Sequence, residues 1–167
     1  ADPDDPYAVT GYRPLTPMNA LAGQGAMAPG GLFFVYTSVS EAGVDIFLQR
    51  GGGLNAINLT EDSPAADYHP SVSPDGQRIA FTSDREGKGV YVMGSTGESA
   101  RLLARDGSRP AWSPDSREIV YSTQDFDVPW SREGHGLLRI VPADGGEPRE
   151  LDLDIDAVQP AWSPDGK

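Results

Sequence analysis

Val72-Ser73-Pro74-Asp75-Gly76 recurs along this chain as Trp112-Ser113-Pro114-Asp115-Ser116 and again as Trp162-Ser163-Pro164-Asp165-Gly166. The copies begin forty and then fifty residues apart. Each copy is a tight-turn sequence, because proline holds φ near about −65°, aspartate tolerates the conformation beside it and glycine closes the bend. A period of this length is typical of repeat architectures and therefore indicates the fold class.

The residues that follow each turn extend the repeat. A β-prone run follows the first two copies at the same offset, at residues 79–83 and 119–123, and a fainter unit upstream places residues 34–38 after a turn at 27–31. Ser116 stands where the other two copies have glycine. We expect a modest strain there if the turn requires a positive φ.

Each unit contains further β-prone runs separated by turn sequences, for example residues 90–93 and 100–103 on either side of a turn at 94–97. Four short antiparallel strands in some forty residues, repeated, is the pattern of propeller blades. The sequence therefore predicts an all-β fold, a partial β-propeller of about three four-stranded antiparallel blades plus the start of a fourth.

The repeat also predicts the domain organisation. We expect blades at about residues 25–69, 70–109 and 110–159, with the next unit starting at 160. Residues 1–24 are rich in Pro, Gly, Ala and Asp without a sustained period, and are interpreted as an extended N-terminal arm.

At these phrases the chain resembles the TolB-like, WD40-like (PD40) β-propeller repeat family, whose blades begin with a His/Gln-Pro-x-Trp-Ser-Pro-Asp-Gly-Lys phrase. Residues 69–77 and 159–167 match that phrase closely, and the resemblance covers roughly residues 25–167. The first unit departs from it by lacking the Ser and Asp of the turn. The resemblance implies propeller architecture and a periplasmic or secreted location. Function has to be argued from sites, because the repeat occurs in proteins with different functions.

Closure of the ring is a separate expectation. A closed propeller needs at least about four blades, and blade faces are apolar because each packs on its neighbour. We expect the open blade faces to be covered by further blades beyond Lys167 or by a protein partner, which leaves open a role as a docking subunit.

Composition excludes several function classes. The formal net charge of −12, with only 13 Lys and Arg, argues against nucleic-acid binding. No run is long enough to span a bilayer, although association with a membrane complex stays open. The chain has no cysteine, which excludes disulfides and thiol chemistry.

The sequence predicts a protein that is not an enzyme and has no cofactor. It contains no Gly-x-Ser-x-Gly elbow, no His-Glu-x-x-His helix and no Walker loop, and it has only two histidines. Residues 152–156 alternate Asp with Leu or Ile, which on a strand would place three carboxylates on one face. Protection of an edge strand explains them better than a calcium site, so no metal site is predicted.

The candidate site is an extra length of chain in the third unit, where residues 124–136 replace the short link at 84–88 of the second unit. In a four-stranded meander this link emerges on the same rim as the connections between blades, which places Phe126 and Trp130 near Tyr68 and His69. Large aromatic side chains on a rim loop are anchors for a protein or peptide, and His135 ends the same loop. Alternatively, Trp130 folds back as a lid over its own blade.

Two functions compete at this stage. One is a non-catalytic propeller scaffold for protein–protein interaction, as an accessory subunit or domain of a periplasmic or envelope assembly. The other is the N-terminal gating propeller of a serine peptidase whose catalytic domain lies outside this chain. A sensor propeller fused to a signalling module is a third possibility.

Overall fold

The computed structural model describes residues 21–40, 43–51, 53, 55–124, 135–153 and 155–166. Within them the strands form three four-stranded antiparallel sheets, each made of consecutive strands. This confirms the all-β prediction and the blade plan. In the described part of the chain, no helix is long and apolar enough to cross a membrane.

The strands follow the repeat of the sequence. Blade 1 comprises β1 (Leu21–Met27), β2 (Phe33–Ser40), β3 (Gly43–Arg50) and β4 (Ala56–Asn58). Blade 2 comprises β5 (Asp67–Val72), β6 (Arg78–Ser83), β7 (Gly89–Gly94) and β8 (Arg101–Arg105). Blade 3 comprises β9 (Ser108–Trp112), β10 (Glu118–Ser122), β11 (Leu138–Pro142) and β12 (Arg149–Glu150). Strand β1 begins inside the segment that was predicted to be an arm.

The alternating direction of the strands gives each blade two distinct ends. The turns between first and second strands, and between third and fourth strands, lie at one end, which we call the turn rim. The links between second and third strands, and the connections between blades, lie at the other end, which we call the link rim. The first strands of neighbouring blades, β1, β5 and β9, contact each other in series.

The core lies between the blades, since both faces of a central strand are buried. On β6, Ile79 and Phe81 pack with blade 1, whereas Ala80 between them packs with blade 3. This pattern follows from the two-residue period of a strand. The seam between blades 1 and 2 buries Val35, Ile46, Leu48, Leu59, Ile79, Phe81, Tyr91 and Met93. The seam between blades 2 and 3 buries Ala80, Val90, Val92, Ala104, Trp112, Ile119, Tyr121, Val141 and Ala143.

Each Ser-Pro-Asp turn is held by its own side chains. The Ser73 hydroxyl donates to Asp75 Oδ1 over 2.6 Å and accepts from the Arg78 N–H over 2.9 Å. Asp75 also accepts from the Gln77 N–H. Burial acts to raise the pKa of Asp75, but the hydrogen bonds from Ser73 and Gln77 outweigh it and lower the pKa. Ser113 and Ser163 donate to the equivalent aspartates.

Ser116 adopts the predicted positive φ, at 61°, against 72° for Gly76 and 74° for Gly166. The structure also gives a reason for the serine, because its hydroxyl accepts the Asp75 N–H from the neighbouring blade over 3.1 Å. The turn therefore carries a polar contact between blades 2 and 3 that glycine cannot make.

We expect Ser116→Ala to lower the free energy of unfolding by about 1 kcal/mol, because it keeps the strained φ and loses the hydrogen bond. Ser116→Gly should cost less than Ser116→Ala, because relief of the backbone strain offsets the lost bond. Urea denaturation of the three proteins measures both changes. An alanine variant as stable as the glycine variant would contradict the role of the positive φ.

The interpretation of residues 152–156 as an edge strand is wrong for the residues of this segment that the structure describes. The last strand of blade 3 ends at Glu150, and residues 151–153 and 155–156 are irregular. The alternation of Asp and apolar residues therefore does not place carboxylates on one strand face. The segment instead contributes Asp156, whose carboxylate accepts the Gly136 N–H over 2.7 Å and so joins the blade connection to the start of β11.

Candidate functional site

The link rim of blade 2 is shaped by a bulge in its innermost strand. The pairing of β5 with β6 shifts between Tyr68 and Ser71, and His69 within the bulge has a φ of 54°. Blade 3 repeats this at Arg109, also with a φ of 54°. In both blades the bulged residue precedes a proline. Bulges turn side chains away from the regular alternation, and this one places the Tyr68 and His69 rings edge to face, 5.0 Å apart.

His69 joins two blades through one hydroxyl. Its Nδ1 lies 3.2 Å from Thr82 Oγ1, and the same oxygen accepts the backbone N–H of Arg109 over 3.1 Å. If Nδ1 is assigned as unprotonated, the Thr82 hydroxyl donates to it and accepts from Arg109, so all three groups are satisfied. His69 is buried. It therefore stabilises the rim through hydrogen bonds between blades 2 and 3.

Tyr68 points to the link between β6 and β7. Its hydroxyl donates to Asp84 Oδ1 over 2.9 Å, and the Lys88 ammonium lies 2.9 Å from the same oxygen. Burial acts to raise the pKa of Asp84, but the bonds from Lys88 and Tyr68 prevail and lower it. This carboxylate is therefore charged at neutral pH and holds an aromatic ring and a cation at the rim.

A cavity of about 270 Å³ opens beside this group, between blades 2 and 3. It is lined by Tyr68, Thr82, Lys88, Asp106, Gly107, Ser108 and Thr123. Thr123 is at the start of the long link of blade 3, where it is hydrogen-bonded to Leu137 at the other end of that link. The cavity thus adjoins the start of the sequence segment that contains Phe126 and Trp130.

The rim rests on a buried ion pair. Asp67, the first residue of β5, has a fully buried side chain, and its Oδ2 lies 3.0 Å from Arg85 Nη2. Arg85 belongs to the link between β6 and β7, and its guanidinium lies over the Phe81 and Tyr91 rings at 5.7 and 5.9 Å. Burial raises the pKa of Asp67, while Arg85 acts against that rise. The pair joins the start of β5 to the link that presents Asp84 and Lys88.

The structure brings together part of the predicted site. Tyr68 and His69 are in ring contact, and Tyr68 lines the cavity. His135 is exposed at the end of the blade 3 link and is not among the described residues that line the cavity. Phe126 and Trp130 lie outside the described residues, so their position near Tyr68 stays a prediction.

Several rim residues were not identified from the sequence. Lys88 and Asp106 have the pattern of ordinary surface charges, and nothing local distinguishes Asp67 and Arg85 from other charged residues. The one available signal was the repeat itself, since residues 82, 108 and 123 fall at strand ends that a propeller brings to one rim. Across the described ranges, no group of three or more His, Cys, Asp or Glu is arranged to hold a metal ion.

Comparison with known proteins gives relatives of two kinds. The chain is 35% identical over 133 residues to a Bacillus subtilis protein called uncharacterized peptidase YuxL. The matched region covers 59% of this chain and 20% of that protein. It is 30% identical over 124 residues to a protein TolB homolog of Chlorobaculum tepidum, covering 72% of this chain and 27% of that protein. The chain spans less than half the length of the curated relatives it matches. No protein-family model matches the sequence.

Solved structures show the same fold. TolB from Acinetobacter baumannii superposes with a TM-score of 0.71 at 19% identity, over 89% of this chain and 36% of that one. A puromycin hydrolase superposes with a TM-score of 0.67 at 16% identity, over 90% of this chain and 25% of that one. The chain is therefore a β-propeller in fold. Its relatives and structural neighbours together support a TolB-like propeller family, whereas the narrower PD40 assignment has no family match.

Proposed function

We propose that this chain is a non-catalytic propeller scaffold that binds a protein or peptide at the link rim between blades 2 and 3. The observation that carries the proposal is the cavity of about 270 Å³ there, lined by an aromatic ring, a lysine and an aspartate. A concave site with one aromatic wall and a few polar groups suits recognition of a partner side chain.

The long link of blade 3 supplies the anchors in this proposal. Phe126 and Trp130 extend the aromatic surface that Tyr68 begins, and His135 lies at the exit of the loop. The resemblance to TolB supports an accessory role in a periplasmic or envelope assembly. No catalytic residue, metal or cofactor is part of the proposal.

We expect the double substitution Phe126→Ala with Trp130→Ala to weaken partner binding by about 2 kcal/mol or more, roughly a thirtyfold rise in Kd, as for truncated aromatic anchors. The partner is first captured by cross-linking the tagged chain in its native host and is then titrated by calorimetry against the purified protein. Arg117→Ala serves as the control, because Arg117 is exposed on the turn rim. An unchanged Kd for the double variant would refute the rim as the binding surface.

A second function has its own support. The relative named as a peptidase and the puromycin hydrolase structure favour a propeller that gates a serine peptidase domain in the same polypeptide. A fluorophosphonate probe labels active serine hydrolases. Labelling of the native polypeptide that contains this chain would select the gating propeller, and absence of labelling would select the scaffold.

A further inference from the structure

The two seams between blades differ at the turn rim. In the seam between blades 2 and 3, Arg78 donates to the Ser116 carbonyl, pairs with Asp144 at 3.0 Å and lies 4.9 Å over the Trp112 ring. Arg101 donates to the Ala143 carbonyl over 2.8 Å. Two arginines of blade 2 thus fill this end of the seam and connect blade 2 to blade 3.

Strand pairing identifies the equivalent residues of blade 1. Arg78 pairs with Gly94 at the end of β7, and Phe33 pairs with Arg50 at the end of β3. The same registers make Leu48 of β3 equivalent to Val92 of β7. Leu48 pairs with Ile57, and Val92 pairs with Arg101, so Ile57 is the equivalent of Arg101 in the outer strand. The seam between blades 1 and 2 therefore has Phe33 and Ile57 where its neighbour has two bridging arginines.

A groove of about 340 Å³ lies at this position. Its buried and half-buried apolar lining consists of Phe33, Leu48 and Leu59, and its sides are Leu32 and Ile57. Ser95 and Thr96 line it from blade 2. Leu32 is 74% exposed and Ile57 is 54% exposed, which places two large apolar side chains in water at the edge of an apolar groove. Apolar surface gathered in this way is typical of a protein-binding site.

Arg50 supplies the charge of the groove. It is exposed, lines the groove, and within the described ranges makes no ion pair and no side-chain hydrogen bond. An unpaired cation beside an apolar groove is complementary to an apolar group that carries a carboxylate.

We propose that this groove binds an extended segment of a protein partner, which inserts a large apolar side chain between blades 1 and 2 and sets a neighbouring carboxylate against Arg50. The inserted side chain replaces the packing that Arg78 and Arg101 provide in the next seam. The site lies on the turn rim, at the opposite end of the blades from the proposed link-rim site, and does not depend on it.

The probe for this proposal is the peptide acetyl-Gly-Leu-Phe-Asp-Gly-amide, titrated into isotope-labelled protein and followed by amide NMR shifts. We expect saturable shifts at Leu32, Ile57 and Ser95 below about 10 mM peptide. Arg50→Gln should weaken binding about fivefold, and replacing the Asp of the peptide with Asn should weaken binding to the wild type by the same factor. The two changes together should cost no more than either alone, because they remove one ion pair.

Ile57→Arg is the decisive variant, since it copies Arg101 and fills the groove. We expect it to abolish binding without lowering Tm. Leu32→Ser should also weaken binding, and it tests the groove if the arginine variant does not fold. Val39→Ser is the matched control, because Val39 is 50% exposed at the link-rim end of β2; it should bind as the wild type does. Absence of binding, equal binding of the Asn peptide, or shifts confined to other surfaces would overturn the proposal.

Discussion

Replacement of Arg85 by methionine is expected to lower the free energy of unfolding by about 3–5 kcal/mol at neutral pH, because it leaves a buried carboxylate without its cation. The Asp67 side chain is fully buried, and that of Arg85 is only 16% exposed. Asp62 lies 3.7 Å from the same guanidinium but is mostly in water, so it does not share the loss. The cost therefore arises at Asp67.

The pH dependence separates this mechanism from a simple loss of packing. Burial raises the folded-state pKa of Asp67 above its unfolded value of about 3.9. A carboxyl group with a raised pKa contributes its stability below the unfolded value and loses it as pH rises through the folded value. Arg85→Met removes the hydrogen bond and the charge of Arg85, while the opposing hydrogen bonds from Ser83 and Thr60 stay, so the folded pKa moves higher still. The loss caused by Arg85→Met should therefore be smaller at about pH 5 than at pH 7.

Urea denaturation of the wild type and the variant at both pH values makes this measurement. Arg85→Met combined with Asp67→Asn is the control, because it removes the buried charge together with its partner and should recover much of the stability. The Phe81 and Tyr91 rings lose the same cation in both variants. A pH-independent loss that the second substitution does not repair would show that Arg85 acts through those rings.

The second large effect is expected at Trp112. Its side chain is 6% exposed in the seam between blades 2 and 3, beneath Arg78, and its indole N–H donates to the Ser71 carbonyl over 2.9 Å. Trp112→Ala should cost about 3–5 kcal/mol, because it opens a cavity between two blades and removes the hydrogen bond to the Ser71 carbonyl. Thermal and urea unfolding measure the loss.

Trp162 provides a matched control from the same phrase of the repeat. It donates to the Ala111 carbonyl over 3.2 Å but is only partly buried. Trp162→Ala should therefore cost clearly less than Trp112→Ala. Equal losses at the two positions would contradict the view that Trp112 matters because it fills a closed seam.

Much of the fold was predictable from local sequence. The Ser-Pro-Asp turns, the β-prone runs after them and the need for a positive φ at Ser116 are properties of a few adjacent residues. Residues 152–156 show the limit of this reasoning. Their alternation is that of a strand, but the described residues there form none, because the neighbouring strand β11 begins at Leu138, whose carbonyl already accepts the Leu151 N–H.

The candidate site was only partly predictable. Tyr68 and His69 could be placed at the rim because the repeat puts the start of β5 there, and the length of the blade 3 link indicated where a loop would lie. The residues that complete the cavity come from the end of β6, the link after it, the connection between β8 and β9, and the end of β10. The charges of Lys88 and Asp106 look like any solvated charge in the sequence. Only their proximity in the folded chain distinguishes them.

The amino-acid order alone specified the repeat, the four-stranded plan of the described blades and the conformation of their turns, since each depends on interactions between residues close in the chain. Folding decided which charges are buried and which seams are filled. The pairing of Asp67 with Arg85, and the arginines in one seam where its neighbour has Phe33 and Ile57, depend on side chains brought together across sheets. Desolvation and packing act only on side chains that the fold has brought together, so the turn and strand patterns of the sequence do not predict these contacts.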